Sequence, residues 1–141
     1  MEKDCGMWIN ILSHMLKKRM NANTQSLGIT GVQSHVMHYI LVKWADGPVF
    51  QRDVERAFSL SRSTATGILQ LMEKNDLIRR ESVASDARLK SLIPTKKAAD
   101  LDAQIGEFLR QTEQRLTHGL SDEQLAQFIQ TAEHMYANLD R

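Results

Sequence analysis

The side chains with the most chemistry to offer stand together near the middle of the chain. Ser61, Arg62, Ser63, Thr64 and Thr66 place four hydroxyls and a guanidinium within six residues, and Gln70 follows further on. Short hydroxyl side chains hydrogen-bond without holding a partner at a distance. An Arg reaches a phosphate or the two acceptors of guanine. A backbone that must approach a polyanion closely needs this mixture. A second set comes next: Arg79, Arg80, Arg88 and Lys90, with Asp86 two residues before Arg88. These cations suit phosphates, and an Arg suits the negative potential of a minor groove. Asp86 cannot favour DNA directly. Its expected task is to orient Arg88, or an Arg on a neighbouring strand, by a charge-assisted hydrogen bond.

The elements that must carry these residues follow from periodicity and caps. Residues 7–26 predict an amphipathic helix, with Trp8, Ile11, Leu12, Met15 and Leu16 on one face and a break at Gly28. Thr30 with Gln33 is a capping-box pattern. It opens a second helix to about Trp44, apolar on more than one side (Val36, Tyr39, Ile40, Leu41) and therefore central. Asp46-Gly47-Pro48 ends it in a turn. A short helix over 51–57 is expected to turn Val54, Ala57 and Phe58 inward. Ser61 is a good N-cap for a helix over 62–75, whose buried stripe is Ala65, Ile68, Leu69 and Met72. Its opposite face shows Arg62, Ser63, Thr66, Gly67, Gln70 and Lys74.

The period then shortens. Segments 77–83 and 89–93 suit two strands around a polar turn, Ala84-Ser85-Asp86-Ala87-Arg88, which makes a hairpin. A long helix is expected over 96–118, with Leu101, Ile105, Phe108 and Leu116 on one face, stopped by Gly119. Ser121 with Gln124 opens a last helix bearing Leu125, Phe128, Ile129, Ala132, Met135, Tyr136 and Leu139. The fold expected is mostly α with a small β-hairpin wing. A short helix, a tight turn, a polar-faced helix and a basic hairpin follow one another in the order of a winged helix-turn-helix. In that arrangement the polar helix enters the major groove of duplex DNA with its N-terminal residues against the bases. The hairpin is then the wing, with Arg88 near its tip.

Composition agrees with this and excludes other classes. The chain has 141 residues, 42% hydrophobic and 25% charged, the profile of one globular domain. A formal net charge of +1 gives no hint of partners by itself. Within it, residues 61–90 carry six cations (Arg62, Lys74, Arg79, Arg80, Arg88, Lys90) against four acids (Glu73, Asp76, Glu81, Asp86). Residues 96–141 carry five cations against eight acids, which argues against DNA contact there. One cysteine, Cys5, excludes an internal disulfide framework and fits a reducing cytoplasm. No run approaches the roughly 18 apolar residues of a membrane span. Gly-rich phosphate loops, nucleophile motifs and metal sets are missing, so neither an enzyme nor a cofactor is expected. His35 and His38, three apart, with His14 on the first helix, have spacing that can bind zinc. No cysteine or carboxylate cluster completes such a set, so ordinary core or surface histidines are expected.

Several stretches together resemble the multiple-antibiotic-resistance regulator (MarR) family. They are Phe50-Gln51-Arg52-Asp53, Ser61-Arg62-Ser63-Thr64-Ala65-Thr66, Leu71-Met72-Glu73-Lys74-Asn75-Asp76-Leu77-Ile78-Arg79-Arg80, Asp86-Ala87-Arg88 and Thr95-Lys96-Lys97. That family carries Leu-Glu-x-x-Gly-Leu-Ile-x-Arg before the wing, Asp-x-Arg at the wing and Leu-Thr-x-x-Gly opening the fifth helix. Asp76 stands here for the usual Gly, and Pro94 and Ala98 for the Leu and Gly around the threonine. The resemblance extends over nearly the whole chain.

It implies a winged helix-turn-helix over 48–94 and a helical dimerisation part, 7–28 with 96–141, within a single domain. It also implies a homodimer on pseudo-palindromic double-stranded DNA operators, and repression relieved by a small ligand or by oxidation. The apolar stripes of the terminal helices point independently to the dimer. Two-fold symmetry then sets the recognition helices about 34 Å apart. Family ligands are small, anionic or aromatic, and bind between the dimerisation helices and the winged part. His14, Met15, Lys18, His38 and Trp44 are the candidates here, with plain core packing as the other reading of Met15 and Trp44. Cys5 resembles the thiol of the peroxide-sensing branch, and redox sensing through it stays open beside an inert role. A helical protein-interaction module without DNA binding is the remaining alternative, motivated by near-zero net charge and large apolar helical surfaces.

Overall fold

Thr30 and Gln33 set the start of the helix on which the core is built. In the computed structural model, which describes residues 2–141, the Gln33 amide donates to Thr30 Oγ1 at 3.1 Å. The Thr30 amide donates back to Gln33 Oε1 at 3.4 Å. This reciprocal cap satisfies donors that a helix start leaves unpaired. Helix α2 (Gly31–Trp44) follows from it, and its Val36, Met37 and Ile40 are almost wholly buried. Helix α1 (Cys5–Ser26) starts earlier than its apolar period suggests, because Asp4 accepts from the Met7 amide at 2.8 Å. Gly28, at φ +76°, turns the chain out of α1 as expected.

Helix α3 (Gln51–Ala57) and helix α4 (Arg62–Lys74) come next. Val54 is fully buried, and Phe58 meets Tyr39 edge-on with ring centroids 5.6 Å apart. Ala57, expected to point inward with them, is exposed instead. Ala57 is the last residue of this seven-residue helix, and the inward place beyond Val54 is taken by Phe58 at its C-cap. On α4, Ala65, Leu69 and Met72 are fully buried and Ile68 half-buried, as the spacing requires.

Strands β1 (Ile78–Val83) and β2 (Asp86–Pro94) pair antiparallel around Ala84-Ser85. The turn is thus shorter than the five residues expected, and Asp86, Ala87 and Arg88 belong to β2. The register explains the difference. Ser82 faces Lys90 while Val83 faces Asp86, so Ala87, Arg88 and Leu89 bulge from the ladder. Local bonds hold that bulge. Ser82 Oγ donates to the Ala87 carbonyl at 2.9 Å, and the Arg88 amide donates to Asp86 Oδ1 at 2.9 Å. At the base of the hairpin Leu77, Ile78 and Leu92 join the core, and the Leu92 amide donates to the Val49 carbonyl at 2.7 Å.

Asp76 adopts φ +59°, the left-handed conformation that the motif's glycine would take without strain. Asp tolerates this region better than most residues. Here Thr95 Oγ1 also donates to its carbonyl at 2.6 Å. The same Thr95 hydroxyl accepts from the Ala98 amide at 3.1 Å and starts helix α5 (Lys96–Leu116). Lys97 Nζ donates to the Asn75 carbonyl at 2.8 Å, closing the end of α4. The substitution of Gly by Asp therefore leaves the junction intact.

The chain falls into two compact units, one up to Gly106 and one of Glu107–Arg141, with the boundary inside α5. The first holds the core, to which Ala98 and Ile105 of α5 contribute. The second contains the end of α5 and helix α6 (Asp122–Leu139). Helix α5 ends at Leu116, before the expected residue 118, and Gly119 at φ +83° completes the turn. Ser121 and Gln124 form the expected capping box on α6. An exposed pair, Glu107 with Arg110, holds the Glu107 carboxyl below its usual range through the hydrogen bond from the guanidinium. The architecture is mostly helical with one two-stranded hairpin, as the sequence predicts. Among the described residues no helix is long and apolar enough to cross a membrane.

Asp76→Val should cost roughly 1–2 kcal/mol, because a β-branched side chain is strained at positive φ. Asp76→Gly should stay within about 0.5 kcal/mol, since relief of strain offsets the looser unfolded chain. Urea unfolding compares them, and equal losses in both would refute the conformational account.

Candidate nucleic-acid interface

The polar face of α4 exists because its inner face is committed to the core. With Ala65, Leu69 and Met72 at zero exposure, a 100° step per residue sends Ser63, Gly67 and Gln70 outward, while Arg62, in line with the buried stripe, is free because it is the first residue of the helix. All four are exposed, as are Ser61 and Thr64, and Thr66 is half-buried. The expected six residues therefore share one surface at the start of α4. Their hydroxyls differ in what they have left to offer. Ser61 Oγ accepts from the Thr64 amide at 3.2 Å and donates to Thr64 Oγ1 at 2.9 Å, so it serves mainly as the N-cap. Ser63 Oγ lies 3.3 Å from Ser61 Oγ. The free amides of the first turn and the helix dipole add a positive end to this surface.

The basic residues of the hairpin divide between its two faces, as alternation along a strand requires. Arg79 and Lys90 are exposed, and among the described residues neither forms an ion pair, nor does Arg62. Arg80 turns the other way from Arg79, onto the face it shares by register with Lys90. Its Nε lies 3.8 Å from Glu73 on α4 and its side chain is only 25% exposed. Arg88 sits three residues past the turn with 93% of its side chain exposed. Its Nε is 3.5 Å from Asp86 Oδ1. An ion pair so open to water contributes about 0–1 kcal/mol, so it does not fix the guanidinium. The firmer bond of Asp86 is to the Arg88 backbone amide. Asp86 shapes the chain of the wing more than it aims the side chain.

The candidate ligand residues lie on two helices of the first unit. His14, Met15 and Lys18 are exposed on α1, and His38 and Trp44 are exposed on α2. His38 Nδ1 is 3.0 Å from Asp102 Oδ1 of α5, an interaction between residues far apart in sequence. An open cleft in this unit lies between Tyr39, Lys43 and Pro48, and none of the five candidates lines it. Cys5 is exposed in the first turn of α1. Among the described residues no three His, Cys, Asp or Glu side chains gather as a metal set.

One residue of this surface escapes a reading of the sequence. Gln51, at the start of α3, donates from Nε2 to Thr66 Oγ1 at 2.9 Å and to the Arg62 carbonyl at 3.4 Å. It couples the helix before the turn to the helix after it. The only local signal is a long amide side chain at the first position of a helix that precedes a hydroxyl-rich one.

Comparison with known proteins agrees with this architecture. The family model described as MarR family matches residues 27–89, from the end of α1 through the turn of the wing. Among solved structures, the transcription regulator MarR from Oenococcus oeni PSU-1 is 31% identical. The match covers 95% of this chain and 99% of that one, with a TM-score of 0.64. A MepR–DNA complex from S. aureus is 25% identical, covers 92% of this chain and 96% of that one, and has a TM-score of 0.78. MepR, described as a transcription regulator of the S. aureus multidrug efflux pump MepA, is 23% identical over 97% and 99%, with a TM-score of 0.85, a likeness of fold. With its polar-faced helix, its hairpin and a 31% identical relative along almost its full length, the chain belongs to the MarR family of winged-helix regulators.

Proposed function

We propose that this DNA-binding transcription regulator acts as a homodimer on pseudo-palindromic operators, and that it is a repressor released by a small anionic or aromatic ligand. The observation that carries the reading is the start of α4. Arg62, Ser63, Thr64 and Gln70 are exposed there on a helix whose other face is fixed in the core. In this role Ser63, Thr64, Thr66 and Gln70 face base edges and nearby phosphates, and Arg62 takes a phosphate or a guanine. Ser61 holds the helix start in position. Arg79 and Lys90 neutralise phosphates, and Arg88 follows the adjacent minor groove on a wing shaped by Asp86. MepR, which shares the fold, has been crystallised with DNA.

The dimer is supported by apolar faces that the single chain leaves in water. On α6, which buries no residue, Phe128 is 63% exposed and Tyr136 69%. On α1, Trp8, Ile9, Leu12 and Met15 are exposed too. Monomers seldom expose contiguous apolar surface on this scale. Effector binding draws on the chemistry of His14, Met15 and Lys18 exposed on α1 and of His38 and Trp44 exposed on α2, a mixture of cationic, imidazole and apolar groups. The nearly balanced net charge, +1, predicts modest non-specific affinity, so base and shape readout must supply more of the binding.

On heterologous duplex DNA at low salt the chain should bind weakly with a steep salt dependence. A helical interaction module would show no such binding. Arg88→Ala should weaken binding to every duplex and lower the salt slope by about 1. An unchanged slope would remove Arg88 from the interface. Thr66→Glu or Ser63→Glu should abolish operator binding while the oligomer persists, whereas Ser61→Ala should chiefly cost helix stability, about 1 kcal/mol in denaturant unfolding. Sedimentation should give a dimer that Phe128→Glu and Tyr136→Glu together dissociate. A wild-type chain that sediments as a stable monomer would refute the dimer.

A further inference from the structure

We infer that Gln51 is a positioning residue for base readout: by hydrogen-bonding Thr66 and the Arg62 carbonyl, it fixes the Thr66 hydroxyl and fills one of its two acceptor sites, biasing it toward donation to DNA. The inference rests on the reading of α4 as the recognition helix and adds a residue outside that helix to its readout. A backbone carbonyl only accepts, so the Gln51 atom 3.4 Å from the Arg62 oxygen is the NH2 group. The same NH2 group is 2.9 Å from Thr66 Oγ1, which must therefore accept from it. The proton of that hydroxyl remains to be placed.

In a helix, Thr usually returns its proton to the carbonyl four residues earlier. Thr24 does so to Met20 at 3.1 Å, and Thr117 does so to Glu113 at 2.9 Å. For Thr66 that carbonyl belongs to Arg62. It already accepts the helical amide of Thr66, and Gln51 takes its second lone pair. Among the described residues Thr66 makes no return bond to it. The O–H therefore turns away from the helix, on the side where Arg62, Ser63 and Gln70 are exposed.

A free hydroxyl rotates and serves a donor or an acceptor equally. A hydroxyl that already accepts from Gln51 keeps its proton and one lone pair, so the balance shifts toward acceptors: guanine N7 or O6, adenine N7, thymine O4, or a phosphate oxygen. It disfavours the amino group of cytosine. Gln51 thereby biases the hydrogen-bonding polarity of a neighbour that faces DNA, as a positioning residue.

A double-mutant cycle tests this on duplexes that vary one base pair at a time through a selected operator. Gln51→Ala should weaken the best site about 3- to 10-fold, the range expected for one hydrogen bond. In a Thr66→Val background the same substitution should change affinity less than about 2-fold. A base acceptor appears as lost discrimination at one position, and a phosphate acceptor as a uniform loss. Equal losses in both backgrounds overturn the inference. Gln51→Met, which keeps the length and removes the donor, replaces Gln51→Ala should that variant unfold. In the free protein the Gln51 side-chain amide protons should exchange slowly, and faster in Thr66→Val. Fast exchange in the folded wild type also overturns the inference. A wild-type chain that binds no duplex sinks the DNA reading and this inference together, whereas binding with additive losses sinks the inference alone.

Discussion

The burial of one stripe on α4 is the constraint on which the rest depends. Leu69 and Met72 lose all contact with water, each stabilising the fold by about 1.5–3 kcal/mol. Their neighbours in the core come from α2, α3, the base of the hairpin and α5. Once that stripe is held, the rotation of α4 is no longer free. A turn of the helix by one residue would bury Gln70 and Glu73 in place of Leu69 and Met72. The orientation of the polar face is thus a consequence of hydrophobic packing, and no polar contact is needed to aim it.

The wing depends on the same core at its base and on local bonds at its end. Ile78 and Leu92 are anchored in the cluster, and the Leu92 amide is tied to Val49. Beyond them the ladder slips into a bulge that Ser82, Asp86 and the turn hold together. A hairpin that is rigid at the root and bonded mainly to itself at the tip can follow a groove while its root keeps a fixed place beside α4. The exposed Arg88 belongs to that adaptable part, and Arg80, paired with Glu73, belongs to the fixed part.

The resemblance to regulators was legible because it rests on pieces that are local in sequence. Departures from the family motif were equally legible, but their consequences were not. Asp76 in place of Gly reads as a threat to the junction until Thr95 and Lys97 are seen on the carbonyls of Asp76 and Asn75. Those partners lie about twenty residues on, and nothing in the spacing announces them. Ala57 shows the opposite error. Its period places it inward, but the helix ends at Ala57 and Phe58 beyond it takes the place against Tyr39.

What the sequence by itself determined is what acts over three or four residues. Thr30 with Gln33, Ser61 with Thr64, and Ser121 with Gln124 mark helix starts because each cap closes within one turn. The apolar period marks the buried face of α4 for the same reason. Only the tertiary structure decided the Gln51–Thr66 bond, the His38–Asp102 pair and the strand register that draws Asp86 and Arg88 into β2. Each joins residues whose approach depends on how separate elements pack, and a hydrogen bond longer than about 3.5 Å is no bond at all. Sub-ångström placement of that kind is a property of the assembled core, and no residue type or spacing encodes it alone.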